Sequence, residues 1–472
     1  KMEGQRSAQG EAPPAADERC GGFLLLLLCI VSAVEGADQV LLPTTFHALE
    51  LDLGLTLGNL ASLNLAQALL QALAAPVWGV LADRGVLARR TIFVTGCTGW
   101  GLLTSLMAVV SRWEHMAVLR ALNGAMLACL RPVSNGAVAD VASEGCRGRA
   151  FGRIQFSLNM GMMATTLLAT PLAARRPAAG LLAGWRLAFL AVGLLSLATA
   201  ALVSWKMEEP PRKPAARREG VCSVVRMETG RLWGYFKLPT FCVVIAEGAL
   251  GCVPWSVMGF ATLYFQKAGL DSFQASVLLA LGIVSAALGS LLGGLVGDAL
   301  TRRSRHHGRP LAAQLSVLAG IPLVWLIFRG LPPNPESFAC YAVLVTALGL
   351  SATWVSSGVN WPILSEIVGS EGRSAIMAWD TALEGTFAAL FGPPMVGLLA
   401  EGYFGTQGQA GGALALGQAM VLTACTPWVA CLLFFSVMHW SYPLDLRRVA
   451  TQQQCGADAM RAPLLPPALL VV

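Results

Sequence analysis

Residues 78–90 read WGVLADRGVLARR and lie between two long apolar runs. Their pattern is a glycine and an aspartate four positions apart, followed by paired arginines. The same pattern returns where Gly294 and Asp298 precede Arg302 and Arg303. A short charged turn between apolar runs predicts a loop at a membrane surface that joins two spanning helices. Its second occurrence predicts a duplicated unit.

The apolar runs on either side continue along most of the chain. Of 472 residues, 55% are apolar and 13% are charged, whereas soluble domains carry about 25% charged residues. The formal charge of +6 is small and lies in loops, so it does not indicate a nucleic-acid partner. The runs predict twelve membrane helices near 22–46, 57–82, 91–111, 115–140, 150–173, 183–205, 238–265, 272–298, 310–328, 337–365, 374–400 and 414–440.

These spans predict an all-α membrane protein with two pseudo-symmetric six-helix halves, 22–205 and 238–440. A polar linker at 206–237 separates the halves, and tails occupy 1–21 and 441–472. A second repeat supports the duplication, because Glu-Gly-Ala at 35–37 returns at 247–249. Most Lys and Arg residues outside the spans fall in alternate segments, so both termini and the linker are expected in the cytosol. The exceptions lie together between spans five and six: Arg175, Arg176 and Arg186.

Five ionisable residues lie deep inside apolar runs: Glu35, Arg131, Glu247, Asp380 and Glu384. Each costs about 2.5–3.5 kcal/mol on insertion scales, so it is expected to face a cavity or a partner. At about 1.5 Å per residue, Glu35 and Arg131 reach depths at which their side chains can meet. Asp380 and Glu384 share one helix face, and Asp38 lies one turn from Glu35. The alternative is that these charges form structural pairs between packed helices.

Other polar and small residues form stripes on single helices. Asn64, Gln67 and Gln71 share one face of span two, where they either line a water-filled cavity or bond neighbouring helices. Trp354 and Asn360 of span ten, with Trp361, either contact a ligand or pack. The Gly289, Gly293 and Gly297 stripe of span eight predicts close helix packing.

At residues 78–90 the sequence resembles the major facilitator superfamily, whose G-x-x-x-D-R-x-G-R-R motif joins helices two and three. An aspartate at a helix end beside paired cations can cap a neighbouring helix and pair with its loop, which makes a latch between halves. The alternative is a tight turn with no other role. The expected gating residues are Gly79, Asp83, Arg84, Arg89, Arg90, Arg120, Asp140, Arg149, Asp298, Arg302, Arg303 and Arg373.

Within that superfamily the sequence is most similar to spinster-like lipid transporters. The similarity rests on Arg120-x-x-x-Gly124 with Asp140, on Gly-Trp-Arg at 184–186, on Glu-Pro-Pro-Arg at 209–212 and on Leu-Pro at 42–43 after Asp38. Gln39 and Leu127 stand where that family has Arg and Glu. The resemblance implies a secondary transporter with a midplane cavity and alternating access.

The expected substrate is a small organic anion, a zwitterion or a lysolipid-like solute, with the proton as candidate coupling ion. The substrate and coupling residues would be Glu35, Asp38, Arg131, Glu247, Trp354, Asn360, Asp380 and Glu384. The alternative function is a membrane receptor or scaffold that keeps the fold without transporting. No hydrolase, zincin or nucleotide-binding motif occurs, and the cysteines have no C-x-x-C spacing, so no enzyme activity, cofactor or metal is expected.

Overall fold

A computed structural model describes residues 17–83, 87–130, 133–134, 147–175, 183–207, 229–230, 232–368, 373–405 and 409–461. The first six helices are α1 (Asp17–Leu53), α2 (Leu57–Asp83), α3 (Arg89–Met107), α4 (Trp113–Leu127), α5 (Arg147–Ala173) and α6 (Gly184–Lys206). The next six are α7 (Pro239–Lys267), α8 (Ser272–Arg303), α9 (Gly308–Gly330), α10 (Pro335–Glu366), α11 (Arg373–Leu398, extended by a π turn Leu399–Tyr403) and α12 (Gln409–Arg461). The predicted twelve-helix, all-α membrane fold is confirmed.

Eight of these helices contain an apolar stretch long enough to cross a membrane, counted over the described residues alone: α1 and α6 to α12. Several helix ends differ from the predicted bounds: α1 runs from Asp17 to Leu53 rather than over 22–46, and α12 continues as helix through the predicted tail to Arg461. The apolar run ends near 440, whereas backbone hydrogen bonding continues through polar residues that tolerate a helix.

Both halves use the same pairing of helices. In the first half α1 packs on α5, α2 on α4, and α3 on α6. In the second half α7 packs on α11, α8 on α10, and α9 on α12, which are the equivalent pairs six helices later. The halves meet where α2 packs on α11 and where α5 packs on α8. The duplication seen in the sequence is therefore a duplication of the packing.

The repeated Glu-Gly-Ala triplets occupy equivalent places in the two halves. A Cβ on Gly36 would lie 2.1 Å from the carbonyl oxygen of Leu158 on α5. A Cβ on Gly248 would lie 1.6 Å from Oε1 of Glu384 on α11. A larger residue at Gly36 would overlap backbone atoms of α5, whereas one at Gly248 would require the Glu384 side chain to move. The triplet thus brings α1 onto α5 and α7 onto α11.

The glycine stripe of α8 packs against α10, as the sequence predicted. A Cβ at Gly289 would lie 2.1 Å from the carbonyl oxygen of Gly349, and one at Gly297 would lie 2.5 Å from that of Gly358. Gly293 lies equally close to the backbone of Trp354. The stripe therefore sets the position of α10, which carries Asn360.

We call the side where α6 ends and α7 begins the linker side, and the opposite side the far side. Arg186, one of the cations that break the charge pattern, begins α6 on the far side. Its Nη1 donates to the carbonyl oxygens of Ala108 at 2.8 Å and Val110 at 3.0 Å, and its Nη2 lies 3.9 Å from Asp52. Arg186 therefore caps the C-terminal end of α3, and this structural role explains why a cation lies on the far side.

Candidate functional site

A closed network of polar side chains lies inside the first half. Nη1 of Arg120 lies 3.3 Å from Oδ2 of Asp38, and both side chains are at most 1% exposed. Thr104 donates to the other carboxylate oxygen of Asp38 at 3.2 Å. Gln67 donates to Asp38 at 3.4 Å and to Asn123 at 3.3 Å, and Asn123 donates to Thr104 at 2.9 Å. Four helices are tied together here around one buried ion pair.

This network brings together residues that the sequence analysis had assigned to different roles. Asp38 was predicted as a coupling residue and Arg120 as a gating residue, but the structure pairs them directly. Sequence reasoning missed Thr104 and Asn123 altogether. A signal was available, because Asn123 lies one turn after Arg120 on the same face of α4. Nε of Arg120 is buried and has no hydrogen-bond partner, so the guanidinium has a donor to spare.

Glu35 lies one turn before Asp38 on α1 and is 4% exposed. Nε2 of Gln39 donates to its Oε1 at 3.2 Å. Arg131, its expected partner, lies outside the described residues, so that contact stays a prediction. Of the amide stripe, Gln67 belongs to the buried network and Asn64 faces the second half near Gly259.

A second polar cluster lies inside the other half, on α7, α10 and α11. Nδ2 of Asn360 donates to Oε1 of Glu247 at 2.6 Å. Sγ of Cys252 lies 3.6 Å from Oε2 of Glu384. Asp380 lies close enough to interact electrostatically with both glutamates. We call Glu247, Asn360, Asp380 and Glu384 the acidic cluster.

Two departures from regular helix position this cluster. The α-helical hydrogen bonding of α7 is interrupted at Cys252, just before Pro254, whose ring nitrogen has no hydrogen to donate. The indole of Trp428 donates to the Gly251 carbonyl at 3.3 Å and so satisfies the break. In α10 a π turn spans Ser356–Asn360 and ends at the residue that contacts Glu247. Such turns re-aim a side chain and are frequent at functional sites.

Trp354 is held by packing rather than left free to stack on a ligand. Its indole N–H donates to the Leu350 carbonyl at 2.7 Å, and its backbone and ring cover Gly293. Trp361 is 47% exposed. These contacts favour the packing interpretation of Trp354, whereas the exposed Trp361 is not held in the same way.

On the linker side, Asp298 belongs to a network inside the second half. Arg309 lies 3.7 Å from Asp298 and 3.1 Å from Glu366, and it donates to the Gly358 carbonyl at 3.2 Å. Tyr442 donates to Glu366. Arg302 and Arg303 are exposed. The aspartate therefore pairs with the first turn of α9, and a link from it to the other half stays a prediction.

The first copy of the motif is described only in part. Gly79 lies in the last turns of α2. Arg89 is largely buried, Arg90 donates to the Ser204 carbonyl of α6, and Arg149 is exposed. The remaining gating residues, or their side chains, lie outside the described part of the chain: Asp83, Arg84, Asp140 and Arg373.

The two halves are joined on the far side by polar contacts that the sequence did not suggest. Nζ of Lys267 at the end of α7 lies 2.6 Å from Oε1 of Glu50 on α1. His47 lies 3.7 Å from the other oxygen of Glu50. The Gly58 amide donates to Glu401 at 3.0 Å. Phe46 and Phe260 pack beneath with ring centroids 5.3 Å apart, so the far side is closed.

Chemically, the described part of the chain offers buried charges within its apolar helices. No group of three or more His, Cys, Asp or Glu among the described residues has the arrangement of a metal site. The first half holds a cation paired with an anion, and the second holds three carboxyl groups. Charges in these places contact mobile ions or solutes in membrane proteins that move them.

Comparisons with known proteins agree over most of the chain. The sequence profile of the Major Facilitator Superfamily matches residues 28–393. An MFS-type efflux pump of Mycolicibacterium smegmatis is 24% identical over 376 residues, which are 78% of this chain and 80% of the pump. A gallate transporter of Pseudomonas putida is 23% identical over 398 residues, which are 78% of this chain and 84% of that protein.

Among solved structures, a bacterial homologue of the human lysosomal transporter Spinster, inward-facing and unoccupied, superposes with a TM-score of 0.75. It is 18% identical, and the match covers 92% of this chain and 99% of that one. At this identity the likeness concerns the fold.

Proposed function

We propose that this chain, which belongs to the Major Facilitator Superfamily and is therefore a membrane transporter, moves a small organic anion or zwitterion by alternating access. One observation carries the proposal. Each half holds a buried polar cluster, and the two halves are joined on the far side by the Glu50–Lys267 ion pair and the Gly58–Glu401 hydrogen bond. Breaking those contacts and forming others on the linker side would expose a fixed central site first to one side and then to the other.

The first half supplies the recognition of an anion. Arg120 is permanently charged, and its buried Nε has no partner. Arg131, an intramembrane arginine on the same segment of sequence, would be a second cation near Glu35. A carboxylate, sulfonate or phosphate accepts two hydrogen bonds from one guanidinium. The gallate transporter among the relatives carries an organic anion by name, which supports this class of substrate.

Coupling to protons would run through Glu35. A proton on its carboxyl group would remove the charge that competes with a substrate anion for Arg131, so proton entry and substrate binding would be linked. A lysolipid-like solute with an anionic or zwitterionic head fits the same chemistry, and its chain would lie among the apolar faces of the helices.

The test is flux into proteoliposomes of purified protein. Candidate solutes are aromatic carboxylates, sulfonates, amino acids and lysophospholipids, each with and without a pH gradient. We expect saturable uptake of at least one class. A matched variant pair, Glu50→Cys with Lys267→Cys bridged by a bifunctional thiol reagent, should stop uptake because the far side can no longer open. Saturable binding without any flux in the unbridged protein would instead favour a receptor that keeps the fold.

A further inference from the structure

One carboxylate on the far side is shared by basic side chains from both halves. Oε1 of Glu50 lies 2.6 Å from Nζ of Lys267, which belongs to α7 in the second half. Oε2 of the same carboxylate lies 3.7 Å from Nδ1 of His47, which precedes Glu50 by three positions on α1. Among the described residues, His47 and Lys267 are the groups that interact electrostatically with Glu50. We call His47, Glu50 and Lys267 the far-side triad.

The oxygen of Glu50 that faces His47 is unused while the far side is closed. Oε2 of Glu50 and Nδ1 of His47 are both buried, and neither atom has a hydrogen-bond partner among the described residues. Their separation of 3.7 Å is longer than a hydrogen bond. Glu50 is therefore bound to the second half through one oxygen and keeps the other for a partner on its own helix.

The other charged groups near this end of α1 lie on α1 itself and on the helices that pack against it, α5 and α6. Arg186 of α6 lies 3.9 Å from Asp52. Arg175 follows the end of α5 and is exposed. Neither arginine is among the groups that act on Glu50. Within the described part of the chain, the charge of this carboxylate is therefore balanced by the triad alone.

The two partners of Glu50 differ in what happens to them when the far side opens. His47 lies one helix turn from Glu50, so it stays beside the carboxylate in every state of the first half. Lys267 belongs to the second half, so it leaves when the halves separate. Histidine is the side chain that ordinarily changes its charge between pH 5 and 8. His47 is 26% exposed, so protons from the far-side solution reach its ring.

A positive charge on His47 consequently has a different effect in the two states. In the closed state the protonated ring is attracted by Glu50 and repelled by Lys267. Because both cations contact one carboxylate, they lie within roughly one Debye length of each other, and partial burial reduces the screening between them. In the open state the attraction remains and the repulsion is lost. Protonation is thus more favourable in the open state, and by linkage it favours opening.

We propose that the far-side triad is a pH-sensitive latch, in which protonation of His47 releases Lys267 from Glu50 and so opens the far side. This inference rests on the alternating access of the proposed function and adds its regulation. Acid on the far side would favour the state that is open to that side. The charge of Glu50 would pass from a partner in the second half to one on its own helix.

The test measures how fast a cysteine between the halves is alkylated by an impermeant reagent applied from the far side. The reporter is Gly259→Cys, whose Cβ would lie 3.8 Å from Nδ2 of Asn64 in the first half. The protein without this added cysteine gives the background. Rates are taken at about pH 8 and about pH 5.5, which bracket the charge change of histidine. Variants are compared at the same pH, so that the pH dependence of the thiol cancels.

At about pH 5.5 the parent reporter should be alkylated up to about fivefold faster than the same reporter with His47→Gln, because glutamine cannot take up a charge. At about pH 8 the two rates should be equal. His115 is exposed in the first turn of α4 on the same side, so His115→Gln is the matched control and should behave as the parent does. Lys267→Gln should remove the difference between His47 and glutamine, since the repulsion that drives opening is then absent.

Equal rates for the parent and His47→Gln at about pH 5.5, which lies within the titration range of histidine, would overturn the inference. Faster alkylation of His47→Gln, or a difference that persists with Lys267→Gln, would overturn it as well. Saturable uptake of a solute without any labelling difference would refute the latch and leave the transport proposal standing. The expected labelling without flux of any candidate solute would support the latch and contradict the proposed substrate class. If His47→Gln does not fold, His47→Asn makes the same comparison.

Discussion

The pair formed by Asp38 and Arg120 shows how a single contact decides the roles of two residues. Both are buried within the membrane-spanning bundle, and three neutral side chains complete the hydrogen bonding of the carboxylate and its neighbours. Taking two charges out of water costs several kcal/mol each, which their attraction and the surrounding hydrogen bonds offset. Removing one partner leaves the other charge buried and alone.

Asp38→Asn should therefore destabilise the protein by about 3–5 kcal/mol, because Arg120 loses its counter-ion. The double variant Asp38→Asn with Arg120→Gln should recover much of that loss. Melting temperatures of the purified proteins measure both effects. The exposed pair of Arg112 and Glu114, 3.8 Å apart, is the control, since Glu114→Gln should change stability by less than about 1 kcal/mol. If Asp38→Asn leaves the melting temperature unchanged, the negative charge of Asp38 contributes little to the stability of the network.

The predicted exchange between Glu35 and Arg131 is tested by two single substitutions. Arg131→Ala should abolish binding of an anionic solute, about a hundredfold or more in affinity, because a bidentate charged contact is lost. Glu35→Gln should flatten the dependence of uptake on pH while leaving binding measurable. Normal transport by Arg131→Ala would show that this arginine has a structural role. If uptake by Glu35→Gln keeps its full dependence on pH, Asp38 or Glu247 rather than Glu35 couples protons to transport.

Among the helices, glycines determine how closely neighbours approach. Gly289 and Gly349 let α8 and α10 meet backbone to backbone, and this contact positions the π turn that ends at Asn360. Gly248 on α7 leaves room for the Glu384 side chain of α11, which lies directly against the residue after Glu247. The acidic cluster therefore depends on residues that carry no chemistry of their own.

Gly289→Ala should destabilise the protein by about 1–3 kcal/mol, since the new Cβ would overlap the Gly349 carbonyl and force the helices apart. Gly294→Ala is the matched control on the same helix, because nothing lies within 4 Å of its added Cβ. That change should be neutral or stabilising by up to about 1 kcal/mol. Thermal unfolding of the two variants under the same conditions tests this prediction. An equal loss of stability in both variants would contradict it.

At the scale of the whole molecule, the far side is closed by a few polar contacts between halves. The ion pair of Glu50 and Lys267 is partly exposed, with side chains 27% and 15% accessible. A pair of this kind contributes at most about 1 kcal/mol. Such a contact can hold one state and still be broken in each transport cycle.

Lys267→Gln should shift the equilibrium toward far-side opening by up to about fivefold. The reporter is Gly259→Cys, whose side chain would lie between the halves with Asn64 and Pro43 about 4 Å away. Its alkylation by an impermeant reagent from the far side should speed up in the variant. The charge exchange Glu50→Lys with Lys267→Glu should restore the parental rate. A rate unchanged by Lys267→Gln would show that the ion pair does not hold this side closed.

The predicted orientation has its own test. Arg112 lies in an exposed turn on the far side, and His306 lies in an exposed turn on the linker side. Cysteines at these positions should be labelled by an impermeant reagent from opposite faces, with His306→Cys reached only from the cytosol. Labelling of both from one face would mean that the two turns do not lie on opposite sides of the membrane.

The sequence by itself determined the membrane environment, the twelve helices and the duplicated unit. These follow from local properties: the length of each apolar run, the charged turns between runs, and motifs such as the Glu-Gly-Ala triplets that recur in both halves. Long apolar segments must satisfy their backbone hydrogen bonds within themselves, so a helix is the outcome whatever its neighbours are. Ionisable residues deep in the membrane spans, such as Glu247 and Asp380, could also be identified from local sequence, because each lies within an otherwise apolar segment.

Only the tertiary structure decided which of these residues meet. The pairing of Asp38 with Arg120, the bond from Asn360 to Glu247 and the ion pair of Glu50 with Lys267 join residues separated by 82, 113 and 217 positions. Partner choice at such distances depends on helix rotation and on the break in α7, neither of which has a periodic signal in the sequence. The regular glycine stripe of α8 predicts close packing but does not say which helix packs there. The physical reason is that the free-energy cost of burying a charge can be inferred from its own apolar segment. The counter-charge or hydrogen-bond partner that offsets this cost comes from whichever helix packs beside it.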